Sequence, residues 1–387
     1  MTIKGWCPAL FTPMQSGDGW LLRVQPRRSR LSASDARIIA DATAQHGNDI
    51  IELTNRGNLQ IRGLTPASAA RFAAEMVAAG LGSARHNILV SPLAGDDPGV
   101  DAKTIPIADA LDGLLADFTG LADKFLFAID GGGFAGLPVP ADITARAHHG
   151  QWGVWIDGEP YGIRCEASAV PETMFRLAST FAANAAGARR MREVAGNVLL
   201  ASGLVADMPA IIPASLETIG FLPYRGDIGG FGLGIPFGGM KATTLHHLAD
   251  LAARFGDATL RMTPWRSVIL PGIASERVAN LHGRDLIADP LDYRRHIVAC
   301  TGSPGCAEAT VNARVDAKFL AAVQFSGKLH ISGCAKGCAH PGAAPVTLVG
   351  RNGAYDIVRN GRASDTPEQI GLTMPDIARL LTSADAS

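Results

Sequence analysis

The spacing of apolar and polar residues between positions 21 and 63 predicts a strand, a helix and a second strand. A short apolar strand ends at Pro26, and Ser32, with Asp35 three residues later, has the form of a helix-capping box. Apolar residues then recur at helical spacing until Gly47. We expect the helix to stop there, because glycine readily adopts the left-handed conformation that ends many helices.

A second strand and a second helix follow. The apolar run from Ile50 to Leu53 predicts a buried strand. The next helix is expected to start from Thr65, with Pro66 at its first position and Gly80 at its end. The resulting order, β-α-β-β-α, is the content of a ferredoxin-like half.

The pattern of residues 21–63 returns in residues 231–272, which predicts one supersecondary unit used twice. Four residue pairs align at an offset of 209 or 210 positions: Pro26 with Pro236, Gly47 with Gly256, Thr54 with Thr263, and Arg56 with Arg266. Each copy precedes a larger segment with mixed strand and helix patterns. We therefore predict an α+β fold in which two copies of a ferredoxin-like half plus a larger α/β segment are related by a pseudo-twofold axis.

The predicted boundaries divide the chain into four domains. The first ferredoxin-like half covers residues 1–81, and a larger α/β segment without paired cysteines covers residues 82–215. The second half covers residues 216–284, and an α/β segment with the paired cysteines covers residues 285–387.

Composition narrows the class of protein. Of the 387 residues, 47% are hydrophobic and 18% are charged, which is typical of a globular chain. A formal net charge of −1 argues against nucleic-acid binding, which usually needs a strong basic excess. The first residues have no secretion signal, and no apolar run is long enough for a membrane span. We expect a cytoplasmic protein with reduced thiols and no membrane partner.

Four of the six cysteines lie in two close pairs in glycine-rich sequence. The first pair, Cys300 and Cys306, is separated by five residues, and the second, Cys334 and Cys338, by three. Zinc-binding pairs usually have two to four intervening residues, and disulfides need an oxidising compartment. Glycine lets a loop curl around a metal and offer N–H groups to sulfur. We favour a [4Fe-4S] cluster over zinc, disulfides or unrelated thiols.

A polar stretch, T-N-R-G-N-L-Q-I-R, runs from Thr54 to Arg62. If it is extended, Thr54, Arg56, Asn58, Gln60 and Arg62 share one face. Such a face is costly to bury unless it meets an anionic ligand with many acceptors. The alternative is a strand face exposed to solvent.

These motifs together resemble the nitrite/sulfite reductase superfamily. The spacing C-x5-C followed by G-C-x3-C is similar to its cluster signature, and H-I-S-G-C-A-K-G-C-A-H-P from His330 looks closer to precorrin-3B synthases, its oxygen-dependent branch in cobalamin biosynthesis. T-N-R-x-x-x-Q resembles the segment that holds the carboxylates of siroheme. The resemblance implies a set of residues that bind the acid side chains of a tetrapyrrole: Arg23, Thr54, Asn55, Arg56, Asn58, Gln60, Arg62, Lys124 and Arg266.

Two departures separate this chain from the sulfite and nitrite reductases. Where those enzymes typically have Lys-x-Lys, this chain has Lys124-Phe125-Leu126, and Gln25 stands near the position of a second arginine. Losing two cations weakens the case for a small oxyanion as substrate. A large organic substrate in the place of the haem remains compatible.

The resemblance then implies oxygen-dependent hydroxylation of precorrin-3A at C20 with γ-lactone formation. Such a monooxygenase uses O2 and a mononuclear non-haem iron beside the cluster, and we expect electrons from NADH to arrive through a separate reductase. His330 and His340 flank the second cysteine pair, and we read them as structural or surrounding groups. Two alternatives stay open: a siroheme-dependent sulfite or nitrite reductase, and an iron–sulfur electron carrier or sensor.

Overall fold

The computed structural model of the chain describes residues 8–82, 86–133, 136–137, 139–211, 218–281, 283, 285–323, 325 and 327–384. In the first copy of the repeat, the capping box forms as predicted: the Ser32 hydroxyl accepts from the Asp35 N–H, and the Asp35 carboxylate accepts from the Ser32 N–H. The elements of this copy are β1 (Met14–Ser16), β2 (Gly19–Val24), β3 (Arg30–Ser32), α1 (Ala33–His46), β4 (Ile50–Leu53), β5 (Leu59–Leu64) and α2 (Pro66–Ala78).

The larger segment after it combines a six-stranded sheet with helices. Its elements are β6 (Asn87–Val90), α3 (Thr104–Leu115), β7 (Leu126–Asp130), β8 (Ile143–His148), β9 (Gln151–Ile156), β10 (Tyr161–Cys165), α4 (Val170–Asn184), α5 (Ala195–Ser202) and β11 (Met208–Pro209).

The second copy of the repeat follows the first closely, except that a short 3-10 helix, Ser275–Asn280, takes the place of α2. Its other elements are β12 (Gly220–Arg225), β13 (Ile228–Gly234), β14 (Gly239–Lys241), α6 (Ala242–Phe255), β15 (Thr259–Met262) and β16 (Ser267–Ala274).

The last segment carries the paired cysteines on a five-stranded sheet. Its elements are β17 (Ile297–Ala299), α7 (Ala313–Leu320), β18 (Leu329–Ser332), β19 (Ala344–Arg351), β20 (Ala354–Gly361), β21 (Gln369–Leu372) and α8 (Met374–Ala384). None of the helices in the described ranges combines the length and the apolar character that a membrane crossing needs.

The two ferredoxin-like halves exchange strands. Strand β14 of the second half pairs with β4 of the first, and β3 of the first pairs with β15 of the second. The five-stranded sheets therefore run β1-β2-β5-β4-β14 and β12-β13-β16-β15-β3. One hydrophobic core joins both halves, with Ile39 and Phe72 from one and Leu245 and Leu270 from the other. The boundaries at 81, 215 and 284 stay predictions, but the two halves fold as one packed unit.

The backbone repeats with the same offset as the sequence. Five pairs of residues with positive φ lie 209 positions apart: Arg28 and Phe237, Ser29 and Gly238, Asp49 and Ala258, Gly57 and Arg266, and Gly63 and Gly272. The predicted repeat is thus confirmed. The structure aligns Arg266 with Gly57, so the sequence pairing of Arg266 with Arg56 is shifted by one residue.

The expectation of a left-handed Gly47 is wrong. Its φ is −106° and ψ is −158°, and the left-handed residue is Asp49, two positions later. A Cβ on Gly47 would lie only 2.6 Å from the carbonyl oxygen of Arg62. Glycine is needed at this position because the backbones of α1 and β5 approach each other closely.

The two larger segments share one strand topology. In the first, β6, β7 and β8 are parallel and β9 and β10 follow antiparallel. In the second, β17, β18 and β19 are parallel and β20 and β21 follow antiparallel. Each half is therefore followed by the same kind of sheet, as the predicted pseudo-twofold arrangement requires.

Candidate functional site

The cysteine loops meet at one edge of the last sheet. Cys300 directly follows β17, and Cys334 lies two residues after the neighbouring parallel strand β18. The carboxyl ends of adjacent parallel strands lie side by side, which brings the two loops together. The backbone N–H of Gly333 donates to the Cys300 sulfur at 3.1 Å. All four predicted ligands are free thiols.

The four thiols act on one another electrostatically. Burial raises the pKa of Cys300, and the thiols of Cys306 and Cys334 also raise it. Hydrogen bonds from backbone N–H groups act in the opposite direction and lower it. Burial also raises the pKa of Cys338, and the other three thiols add to the rise. Four thiolates in this position would repel one another unless a positively charged metal core lay between them.

The two cysteine loops contain donors of the kind that bind an iron–sulfur cluster. Within the part of the chain that the structure describes, no three His, Cys, Asp or Glu side chains are grouped tightly enough to hold one metal ion. A cubane is larger than an ion, and each of its four cysteines binds a different iron, so its ligands stand farther apart. The donor set, two glycine-rich loops with an N–H directed at sulfur, therefore suits a [4Fe-4S] cluster.

The counterpart position in the first large segment shows why one cluster is expected rather than two. Ser91 follows β6 as Cys300 follows β17, and the Gly131 N–H donates to its hydroxyl at 3.0 Å. The Ser91 hydroxyl in turn donates to Asp130, whose carboxylate pairs with Arg146 at 3.0 Å. A serine and a buried ion pair stand here in place of a cysteine ligand.

A cavity of about 640 Å³ opens beside the cysteine loops, with Cys300 and Cys338 in its wall. This volume lies in the range of small-molecule sites. The described wall has one acidic side chain, Glu52, and seven cationic ones: Arg23, Arg56, Lys124, Arg190, Arg192, Arg266 and Arg314. Such an excess of positive charge in a concave wall favours a ligand with several negative groups.

Three of the seven cations are already balanced by carboxylates. The pairs are Arg190 with Asp142 at 2.9 Å, Arg192 with Asp157 at 2.9 Å, and Arg314 with Glu52 at 2.6 Å. Among the described contacts, Arg23, Lys124 and Arg266 form no ion pair. Arg266 donates to the carbonyl of Ala339 at 3.1 Å, directly after Cys338. Positive charge therefore remains for a ligand next to the cysteine loop.

Seven of the nine residues predicted to bind a tetrapyrrole line this cavity. They are Arg23, Thr54, Asn55, Arg56, Gln60, Lys124 and Arg266. The stretch from Thr54 to Asn58 is not extended as expected but turns between β4 and β5, with the Thr54 N–H donating to the Asn58 carbonyl at 2.9 Å. Alternate side chains therefore do not share one face there, because a tight turn places successive side chains in different directions.

Asn58 and Arg62 are the two predicted residues that do not line the cavity. Asn58 is buried and donates to Asn87 at 3.1 Å. Arg62 is buried with Asp18 and Glu52, and it also donates to the carbonyl of Gly305 in the first cysteine loop. The expected role of Arg62 is thus corrected: it holds the cysteine loop against the first half instead of facing a ligand.

Glu52 is the centre of a hydrogen-bond network between the cavity and the cysteine loop. Its carboxylate accepts from Arg62, from Arg314 and Gln60 at 2.6 Å each, and from the Thr301 hydroxyl at 2.6 Å. Burial alone would raise the pKa of Glu52, but Arg314, Arg62 and the Thr301 hydroxyl lower it to about 2. Glu52 therefore stays ionised and holds Thr301, the neighbour of Cys300, in place.

Glu52, Thr301, Arg314, Arg190 and Arg192 were missed from the sequence. Glu52 did leave a signal, since it interrupts the apolar run Ile50 to Leu53, and a charge in a buried strand is rare unless it is paired. The sequence around the other four has no pattern that would single them out as site residues. They come from distant parts of the chain and meet the cavity only through the fold.

The β1–β2 turn packs directly against the first cysteine loop, which gives a testable contact. A Cβ on Gly17 would lie 2.7 Å from the Ala307 nitrogen and 2.8 Å from the Pro304 oxygen, both backbone atoms. We expect Gly17→Ala to displace this loop at a cost of about 1–3 kcal/mol, so that an iron chelator bleaches the cluster on the order of tenfold faster. Gly113→Ala is the control, because nothing lies within 4 Å of a Cβ there. Equal bleaching rates in the two variants would contradict the contact.

A larger cavity, of about 1190 Å³, lies on the first large segment. None of the four paired cysteines lines it. Its described charges balance, with Lys103, Arg164 and Arg225 against Asp97, Asp101 and Glu166. It therefore shows no preference for an anion, and the smaller cavity is the candidate active site.

Comparison with known proteins agrees with this fold. The family described as "Nitrite/Sulfite reductase ferredoxin-like half domain" matches residues 12–79 and again 227–284. A precorrin-3B synthase of Sinorhizobium sp is 33% identical over 94% of this chain and 84% of its own length. A ferredoxin–nitrite reductase of Synechococcus elongatus is 26% identical over 89% of this chain and 78% of its own.

A solved structure, the NirA protein of Mycobacterium tuberculosis, superposes with a TM-score of 0.72 at 18% identity, over 95% of this chain and 80% of that one. That likeness confirms the nitrite/sulfite reductase fold, with its two ferredoxin-like halves. From the fold, the repeated half domain and the 33% identity over nearly the whole chain, this protein belongs to the precorrin-3B synthase family of the nitrite/sulfite reductase superfamily.

Proposed function

We propose that this chain hydroxylates precorrin-3A at C20 with γ-lactone formation, in an oxygen-dependent reaction that gives precorrin-3B for cobalamin biosynthesis. The observation that carries the proposal is the cavity with seven cationic side chains and one acid, bordered by Cys300 and Cys338. A precorrin carries several acetate and propionate arms around its macrocycle. The negative charges of these arms match the positive charges of the cavity wall, and the macrocycle would lie next to the cysteines.

The proposed reaction needs two electrons and two protons for each O2. One oxygen atom forms the new C–O bond, and the other leaves as water. Ground-state O2 accepts electrons one at a time, and a bound cluster supplies single electrons. NADH is the proposed electron source, through a separate reductase.

Four side chains near the cysteines are proposed to bind the acid arms. Arg23, Lys124 and Arg266 offer charge without a carboxylate partner among the described residues, and Arg56 lies in the turn at the same wall. Guanidinium groups bind carboxylates with two parallel hydrogen bonds, which fixes orientation as well as affinity. Glu52, which stays ionised, repels acid arms from its part of the wall and so restricts how the macrocycle can lie.

The wall also supports an organic substrate over a small oxyanion. Leu126 lines the cavity where the reductases of this superfamily typically have the second lysine of Lys-x-Lys. A siroheme-dependent sulfite or nitrite reductase remains the second candidate, because a ferredoxin–nitrite reductase is 26% identical over 89% of the chain. The described residues offer no tight set of three ligands for a single ion.

The absorption spectrum and an oxygen-controlled assay separate these candidates. We expect a broad shoulder in the violet without siroheme bands, and conversion of precorrin-3A under air that stops under argon. Siroheme bands with sulfite or nitrite turnover would favour the reductase. A cluster spectrum without conversion under air would leave only an electron carrier or sensor.

Arg56→Ala is expected to weaken binding of precorrin-3A by about 10- to 100-fold, because a hydrogen bond to a charged group contributes about 1.5–3 kcal/mol. The dissociation constant is measured anaerobically by titrating the chromophore of the substrate. Arg225→Ala is the matched control, since this exposed arginine lines the other cavity. Unchanged affinity in Arg56→Ala, with the iron content intact, would mean that this guanidinium does not bind the substrate.

A further inference from the structure

His330 is a buried side chain without a hydrogen-bond partner. Its exposure is 0%, and neither ring nitrogen has a partner among the described residues. Buried polar groups in native proteins are nearly always paired, because an unpaired one costs about 1–3 kcal/mol. An imidazole left alone on a strand beside the cysteine loops indicates a group that the polypeptide does not itself supply.

The ring lies beneath the loop of the second cysteine pair. Leu329 and Ile331, its neighbours in β18, pack into the core with α8. Side chains alternate along a strand, so His330 projects from the opposite face. On that face its Cε1 atom is 3.8 Å from the position that a Cβ on Gly337 would take, and the next residue in the loop is Cys338.

Among the described residues, no side chain around His330 is hydrogen-bonded to either of its ring nitrogens. Arg266 acts on it electrostatically, but a guanidinium can only donate, and this one donates to the Ala339 carbonyl. The His340 ring stands 5.6 Å away, edge to face, and its Nε2 atom is bonded to the Ala343 carbonyl at 3.1 Å. The loop of Cys338, a proposed cluster ligand, lies on the same side of the strand, so a bound cluster would be a candidate acceptor.

We propose that His330 donates a hydrogen bond from one ring nitrogen to a sulfur atom of the cluster that Cys338 helps to bind. The proposal rests on the cluster of the proposed function, but not on the identity of the substrate. A hydrogen bond to sulfur stabilises the reduced cluster, which is the more negative state, and so raises its reduction potential. His330 is thus a positioning residue that sets the driving force for electron delivery to the cavity.

Redox titration of the cluster tests this assignment without any substrate. Midpoint potentials are measured by electron paramagnetic resonance on anaerobically purified wild type, His330→Phe and His330→Gln. We expect a more negative midpoint in the phenylalanine variant, which lacks a donor, and a value nearer to wild type in the glutamine variant, which keeps one. His246→Phe is the control, because this surface histidine pairs with Asp41 on α1. We also expect a coupling between histidine 15N and the reduced cluster that His330→Gln removes.

Equal midpoints in wild type and His330→Phe, both with full iron and sulfide, would overturn the assignment and leave the proposed function standing. A wild-type protein that binds no cluster would overturn both. If His330→Phe fails to retain its cluster, the 15N coupling decides: its absence from the wild type would overturn the hydrogen bond.

Discussion

Replacing Glu52 by glutamine should destabilise the protein by about 3–5 kcal/mol, because a buried carboxylate that binds two guanidiniums is lost, although Arg62 keeps Asp18 as a partner. Arg62 and Arg314 both bind this side chain, as does the Thr301 hydroxyl. We expect the midpoint of urea unfolding to fall and the cluster to be lost at lower urea than in wild type. Both transitions are followed in one anaerobic titration, by tryptophan fluorescence and by visible absorbance.

Glu75→Gln is the matched control for this prediction. Glu75 also pairs with a basic side chain, His46 at 2.7 Å, but its own side chain is 44% exposed. A single hydrogen bond of this kind contributes about 0.5–1.5 kcal/mol, and the glutamine amide oxygen can still accept it, so this variant should unfold close to wild type. If Glu52→Gln behaved like this control, the carboxylate would not hold the cysteine loop to the first half.

Cys334→Ser should abolish the cluster and with it all turnover of precorrin-3A. A serine hydroxyl is a poor substitute for a thiolate, because the ligand of an iron–sulfur cluster must be deprotonated and soft. Iron and acid-labile sulfide per chain are measured after anaerobic purification, together with the visible spectrum. We expect both contents to fall to a small fraction of the wild-type values while the far-ultraviolet circular dichroism is retained.

Cys165→Ser is the control for the loss of a thiol. Cys165 is also a free, half-buried cysteine, but it lines the larger cavity of the first segment. This variant should keep its iron and sulfide. A Cys334→Ser protein that kept wild-type iron and sulfide would remove Cys334 from the ligand set.

The features that were predictable are those with a local signature. The capping box at Ser32 and Asp35 formed as expected, since capping is decided by residues three positions apart. The repeat is visible in the sequence as an offset of 209 or 210, and the backbone reproduces it as an offset of 209 between single left-handed residues such as Asp49 and Ala258. The spacing and glycine content of the cysteine pairs likewise predict a cluster, and the structure places the two cysteine loops at one edge of the last sheet; the ligand assignment itself stays a prediction.

The features that were missed depend on contacts between distant segments. Gly47 has the composition of a helix stop, yet its role is to let the Arg62 backbone approach. Arg62 looked like a ligand-binding group because the carboxylates that neutralise it, Asp18 and Glu52, are not adjacent in sequence. The exchange of β3 and β14 between the halves is equally invisible, since each strand is only three residues long.

We propose that a [4Fe-4S] cluster lies directly against a cavity for a polyanionic macrocycle. The most direct test is the electron paramagnetic resonance spectrum of the anaerobically reduced protein, recorded before and after addition of precorrin-3A. We predict the signal of one reduced [4Fe-4S] cluster per chain, with g values that change when the substrate binds. A protein with zinc or no metal, or a cluster signal that saturating precorrin-3A leaves unchanged, would contradict this arrangement of cluster and cavity.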